Sequence, residues 1–190
     1  MSRRQTDPLL LDVVEVAEHA QQLEGSRALR SFGRLAEMAH PEAQPAAGDA
    51  VDWRVRGERR AKRGEAPQIW LHLEARSRSA LVCQRCLQPL ALALEAQRSF
   101  RFVDGEETAA RLDAETEDDV LATSRSLDIL GLVEDELLLA LPLVPRHADC
   151  RMPLAQASFA ADMKPGVAGD VEANPFAILA ALERPAGEVN

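Results

Sequence analysis

Between residues 12 and 40 apolar side chains recur every three or four positions. Val13, Val16, Ala17, Ala20 and Leu23 form one such stripe behind Asp12, whose carboxylate suits a helix N-cap. Gly25–Ser26 interrupts it, and Ser26 can cap a second helix that carries Leu29, Phe32, Leu35 and Met38 up to Pro41. The period then shortens to two. Ile69, Leu71, Leu73 and Ala75 alternate with Trp70, His72 and Glu74, and Leu90, Leu92, Leu94, Ala96, Phe100 and Phe102 alternate with polar residues. With 51–56 these segments predict an antiparallel meander with one buried face, on which His72 falls in the polar row, exposed and structural. From Asp128 the helical spacing returns. DILGLVEDELLLAL puts Leu130, Val133, Leu137 and Leu141 on one face and Glu134, Asp135 and Glu136 on a solvated one, until Pro142 stops it. A last short helix is expected at 174–182, with Asn174 as cap and Pro175 in its first turn.

Strands flanked by helices define an α+β class: an antiparallel sheet or partial barrel with N-terminal helices and a C-terminal helical segment. A chain of 190 residues, 46% of them hydrophobic, can bury one sizeable core, so a single domain over 1–190 is expected. It comprises a helical part at 12–40, a strand core at 51–150 that includes the helix at 128–141, and a loop with a short helix at 151–190. The stretches 41–50 and 160–175, rich in Ala, Pro, Gly and Asp, read as loops. The apolar run behind Arg3 and Arg4 is cut by Asp12, too early for a signal peptide, and no stretch approaches the roughly 18 apolar residues of a membrane span. A cytoplasmic location is expected, and an odd count of three cysteines suits a reducing compartment.

The net charge of −9 argues against a surface that coats nucleic acid as a whole, but the charge is unevenly spread. Arg54, Arg56, Arg59, Arg60, Lys62 and Arg63 lie within ten residues that hold one acid, Glu58. Between Asp104 and Asp119 eight acids face one arginine. These read either as two solvated loops or as a contact for RNA phosphate and a contact for a basic protein.

Cys83 and Cys86 form a C-x-x-C pair in the connection between two strands, and about sixty residues later His147 and Cys150 form a second pair. Thiolates and imidazole are the ligands zinc prefers, and Cys3His is a structural combination. One structural zinc is therefore the candidate cofactor. It would contribute roughly 10 kcal/mol of folding free energy by analogy with zinc-finger peptides. The competing readings are a thiol-redox pair and plain buried cysteines. Redox tuning favours a helix N-terminus in a βαβ frame, which the strand–strand context does not supply. No G-x-S-x-G, P-loop, G-x-G-x-x-G or H-E-x-x-H occurs, and with 4% aromatics only Trp53 and Trp70 could stack on bases, core or rim packing being the expected use.

CQRCLQP at 83–89, VEDELLLALPLVPRHADC at 133–150 and NPFAILAAL at 174–182, in this order and at these separations, resemble the signature blocks of the YceD family, the large ribosomal RNA subunit accumulation proteins. The resemblance covers essentially the whole chain. It implies a non-enzymatic factor for synthesis, processing or stability of 23S, large-subunit ribosomal RNA, with that RNA or a ribosomal protein as partner, no small-molecule substrate and no catalytic residues. The family's cysteine and histidine pattern falls on Cys83, Cys86, His147 and Cys150, with a shorter His-to-Cys interval than in enterobacterial members. A role for Arg54–Arg63 in RNA contact is not part of the resemblance. The alternative function is a small zinc-dependent or thiol-redox protein built on the same four residues.

Overall fold

A computed structural model of the protein describes residues 9–61, 64 and 66–150. The segment 151–190, with its expected helix at 174–182, lies outside the described residues. In chain order come β1 (Leu10–Leu11), α1 (Val13–Glu18), β2 (Gln22–Ala28), a 3-10 turn (Leu29–Ser31), α2 (Gly33–Glu37), β3 (Ala50–Arg60), β4 (Gln68–Val82), β5 (Pro89–Val103), α3 (Glu106–Glu115), β6 (Asp119–Ala122), β7 (Leu127–Asp128) and α4 (Ile129–Leu139). β2 to β5 form an antiparallel meander, β6 adds in parallel beside β5, and β1 pairs with β7 in a separate two-stranded ribbon. This is the expected α+β architecture with an open sheet.

One face of the sheet is apolar because the alternation is in register across it. Val55 lies opposite Leu73, and Leu71 opposite Phe100. Onto that face pack Val13 and Val16 of α1, Phe32 and Leu35 around α2, and Ile129, Leu130, Val133 and Leu137 of α4, in one buried cluster. Asp12 caps α1, its side chain accepting from the N–H groups of Val14 and Glu15, and Asp128 caps α4 in the same way through Leu130 and Gly131.

The N-terminal stripe does not continue as helix to Leu23. Ala20 sits at φ +47, its N–H donates to the Ala17 carbonyl, and the Gln21 N–H donates to the Val16 carbonyl. This is the Schellman pattern that closes a helix one turn after its last residue. The chain then runs as β2, so Gly25 and Ser26 are strand residues, not a break and a cap. Gly25 lies opposite Trp53, whose indole covers it; a Cβ there would stand 2.7 Å from the ring. Because Ala20 is an L-residue in the left-handed region, Ala20→Gly is expected to stabilise the protein by about 0.5–1 kcal/mol. A urea titration checks this by a raised midpoint at unchanged slope.

The acids of α4 also differ from expectation: only Asp135 lies on a solvated face. α2 has no side chain of its own at the N-cap, and Glu134 supplies the missing acceptor, taking the Leu35 N–H at 3.1 Å and the Arg34 guanidinium at 3.0 Å. Glu136 is buried and accepts from Arg98 Nε at 3.2 Å. Arg98 stands in the inward row of β5, opposite Leu73, which is why α4 must bring a carboxylate to it. Burial pushes the Glu136 carboxyl above its ordinary value, with Arg98 opposing.

The acidic stretch 104–119 is not a loop. Most of it is α3, whose first turn carries Glu106 and Glu107 where the helix dipole favours negative charge. Asp113 accepts the Val120 N–H and fixes the start of β6.

Candidate metal centre

The C-x-x-C pair occupies the turn that joins the two longest strands, β4 and β5. Cys83 follows Val82 directly, its N–H donates to the Gln88 carbonyl at 3.0 Å, and the Leu87 N–H returns to the Cys83 carbonyl at 2.9 Å. Reversing the chain in so few residues requires a left-handed residue. Leu87 provides it at φ +61, a conformation that costs a side-chain-bearing residue about 1–3 kcal/mol. The segment after α4 is tied to this turn by a hydrogen bond from the Gln84 N–H to the Pro145 carbonyl, 2.8 Å long, which delivers His147 and Cys150 beside the cysteines.

Cys83, Cys86, His147 and Cys150 each present one donor atom, and the four atoms all lie within 4.8 Å of one another. Zinc at about 2.3 Å from sulfur and about 2.0–2.1 Å from imidazole nitrogen gives tetrahedral edges of about 3.8 Å between sulfurs and about 3.6 Å from sulfur to nitrogen. Cys83 Sγ and Cys150 Sγ are 3.8 Å apart, and Cys86 Sγ and His147 Nδ1 are 3.5 Å apart. His147 Nε2 lies 3.1 Å from the Pro89 carbonyl, so its proton resides there and the Nδ1 lone pair turns toward the sulfurs. The donors thus fit a tetrahedral ion, and the short His-to-Cys interval is no obstacle to their meeting. Cys83 and Cys150 are buried with Leu90 in a small cluster of their own, against which Cys86 and Leu92 pack.

The thiols differ. Burial opposes ionisation of Cys83, but the backbone N–H groups of Cys86, Arg85 and His147 outweigh it and hold the thiol down at about 5. Cys150 is pushed up to about 11, first by burial and then by the neighbouring sulfurs of Cys86 and Cys83. The neighbouring sulfurs thus keep the Cys150 thiol protonated unless a cation lies between them. Cys83 is also fully shielded from solvent, which removes the access that thiol exchange needs.

A family profile described as "Large ribosomal RNA subunit accumulation protein YceD" matches residues 71–183, more than half of the chain and all four donors. The chain belongs to the YceD family. It is 36% identical over 109 residues to the "Large ribosomal RNA subunit accumulation protein YceD" of Haemophilus influenzae, an alignment that covers 55% of this chain and 59% of that protein. The chain thus spans about three-fifths of the length of that curated relative. No solved structure matches.

The stretch matched by the YceD profile begins after the arginine-rich segment. Arg54, Arg56 and Arg60 lie on the outward row of β3, in a strand and not a loop, and Arg59 is exposed near its end; Lys62 and Arg63 lie outside the described residues. Each outward arginine has an acid. Arg54 meets Glu24 at 3.1 Å, while Glu58 takes Arg60 at 2.8 Å and Arg56 at 3.8 Å. Arg60 and then His72 hold the Glu58 carboxyl down at about 2. Arg60 also lies over the Trp70 ring, 4.2 Å from its centroid, and covers that tryptophan on the outer face. His72 is therefore half-buried, not exposed, hydrogen bonded to Glu58 and Ser99 at 2.7 Å each, and it plays no part in the metal centre.

Among the described residues no helix is long and apolar enough to cross a membrane. The sequence offered no sign of the carbonyls of Pro145 and Pro89, which hold the two halves of the centre together. Position beside a ligand is the only hint a sequence could give of them.

Proposed function

We propose that this chain is a non-enzymatic, cytoplasmic factor that supports accumulation of large-subunit ribosomal RNA by binding, and that Cys83, Cys86, His147 and Cys150 hold one structural zinc ion. The observation that carries the reading is the YceD match over 71–183, which includes every donor of the centre. Four protein donors fill a tetrahedral ion, whereas a catalytic zinc keeps one position open for water or substrate, so the donor set favours a structural role. When bound, the ion ties the β4–β5 turn to the segment after α4. The chain's own residues do the rest: Pro89 orients His147, and the turn N–H groups stabilise thiolate at Cys83.

The partner surfaces follow charge. Arg54, Arg56, Arg59 and Arg60, continued in sequence by Lys62 and Arg63, are assigned to RNA phosphate. The exposed acids Glu106, Glu107 and Glu117 around α3 suit a basic ribosomal protein.

Tagged chain captured from growing cells at physiological salt is expected to bring down large-subunit RNA, with large-subunit proteins. Depletion is expected to lower the ratio of large- to small-subunit ribosomal RNA. Replacing Arg59 and Arg60 by Ala should flatten the salt dependence of RNA capture, by about 0.7–0.9 in log–log slope for each phosphate that is no longer neutralised. Capture of unrelated metabolic proteins alone, with an unchanged RNA ratio on depletion, would overturn the reading.

A further inference from the structure

Directly after α2 the chain makes an isolated bridge from Ala39 to Leu81 of β4, and the next residue, His40, is buried. A buried histidine needs partners for both ring nitrogens, and this one has them. The Glu42 N–H donates to Nδ1 at 3.1 Å, which fixes the proton on Nε2, and Nε2 donates to the carbonyl oxygen of Leu87 at 2.9 Å. Its backbone is held as firmly: the His40 N–H donates to the Ala80 carbonyl at 2.6 Å, and its own carbonyl accepts from the Ala43 N–H at 2.9 Å and from Gln44 Nε2 at 3.2 Å. None of these partners is a metal donor. The ring reaches one point of the C-x-x-C turn, and that point is its left-handed residue.

We infer that His40 is a positioning residue of the metal centre, whose Nε2–H···O bond to Leu87 locks the left-handed turn that places Cys86 beside Cys83 and His147. The inference rests on the zinc reading given above. Leu87 follows Cys86 in the chain, its N–H closes the turn onto the Cys83 carbonyl, and the next carbonyl, that of Gln88, accepts from the Cys83 N–H. A change in the Leu87 backbone angles therefore pulls these closing bonds apart and lets Cys86 drift from Cys83. A leucine does not hold φ +61 by preference. Its carbonyl would be free to rotate toward solvent, since the side chain is itself exposed. The imidazole supplies the constraint that a glycine at this position would make unnecessary. The geometry also joins the segment after α2 to a centre more than forty residues away in sequence, so the order of residues 38–45 and the affinity for metal become one property.

The test is zinc affinity by chelator competition, with the cobalt(II) ligand-field spectrum as a report on donor geometry, on the full chain. Outer-shell partners of metal ligands change affinity by about 10- to 100-fold, and His40→Ala is expected to weaken zinc binding within that range. His40→Gln should stay close to wild type, because its Oε1 can accept from Glu42 and its Nε2 can donate to Leu87. Leu87→Gly in the His40→Ala background should recover affinity, since glycine adopts the turn unaided. The inference is overturned if His40→Ala binds zinc as tightly as wild type with the same cobalt spectrum, or if His40→Gln loses as much as His40→Ala. If His40→Ala does not fold, the comparison of His40→Gln with wild type decides alone: an affinity loss of tenfold or more overturns the inference, and near-wild-type affinity supports it. Wild-type protein that takes up no zinc at all brings down the zinc reading itself, a different result from either.

Discussion

Purified without chelator, the protein is expected to carry one zinc ion per molecule, and Cys83→Ser or Cys150→Ser to carry none. These two sulfurs form one edge of the donor tetrahedron and are both buried, so a serine leaves three donors and a hydroxyl in an apolar cluster. Metal binding by such sites is folding free energy, about 10–16 kcal/mol in zinc-finger peptides. Here the main core of sheet, α1 and α4 is built from other residues, so removal of metal should spare most of it. Chelation is expected to release the β4–β5 turn and the segment 142–150 while most of the far-ultraviolet circular dichroism remains. The thermal midpoint should fall on the order of 10 °C or more, at about 2–4 °C per kcal/mol for a domain of this size. Elemental analysis with paired thermal scans checks both parts. A metal-free preparation from zinc-replete medium, with a midpoint insensitive to chelator, would end the proposal.

Gly57→Val is expected to be the most damaging single change away from the cysteines. Valine suits a strand, and by propensity alone the substitution should help. But α1 crosses β3 at this residue with its backbone in contact: a Cβ would run into the Val16 carbonyl and come within 2.7 Å of the Ala17 Cα. Neither is the end of a flexible side chain, so the helix itself must lift, and Val13 and Val16 with it. A loss of about 3 kcal/mol or more is expected, at the upper end of overpacking effects. Chemical denaturation measures it directly, and a loss below about 1 kcal/mol would show that α1 can slide on the sheet.

The sheet was legible in the chain because its alternation is strict. Leu71, Leu73 and Ala75 read as one face in sequence and occupy one face in the fold. The convergence of the four donors was legible for a different reason: thiols and imidazole in two close pairs have few common uses, and each pair keeps its short spacing in whatever fold brings the two together. What failed was local pattern overruled by tertiary contact. Leu23 lies at helical spacing from Val16 and Ala20, yet belongs to β2, because β3 offers an edge and Trp53 needs a glycine beneath it. α3 was hidden by its composition, in which Ala109 is the one residue fully buried. Glu134 and Glu136 read as solvated because hydrophobic periodicity says nothing about a cation waiting on a neighbouring element. His40 left no trace at all, since its partner is the backbone carbonyl of a leucine whose left-handed conformation no side-chain pattern announces.

The distance along the chain between the two halves of the centre has a consequence for how the protein is made. Cys83 and Cys86 are made first, and 60 residues lie between Cys86 and His147. At 5–20 residues per second that interval lasts roughly 3–12 s. It spans all of β5, α3, β6 and α4. On the zinc reading, the last two donors are made only after the strands and helices between the pairs, so a completed centre would report that this part of the nascent chain has been built in full.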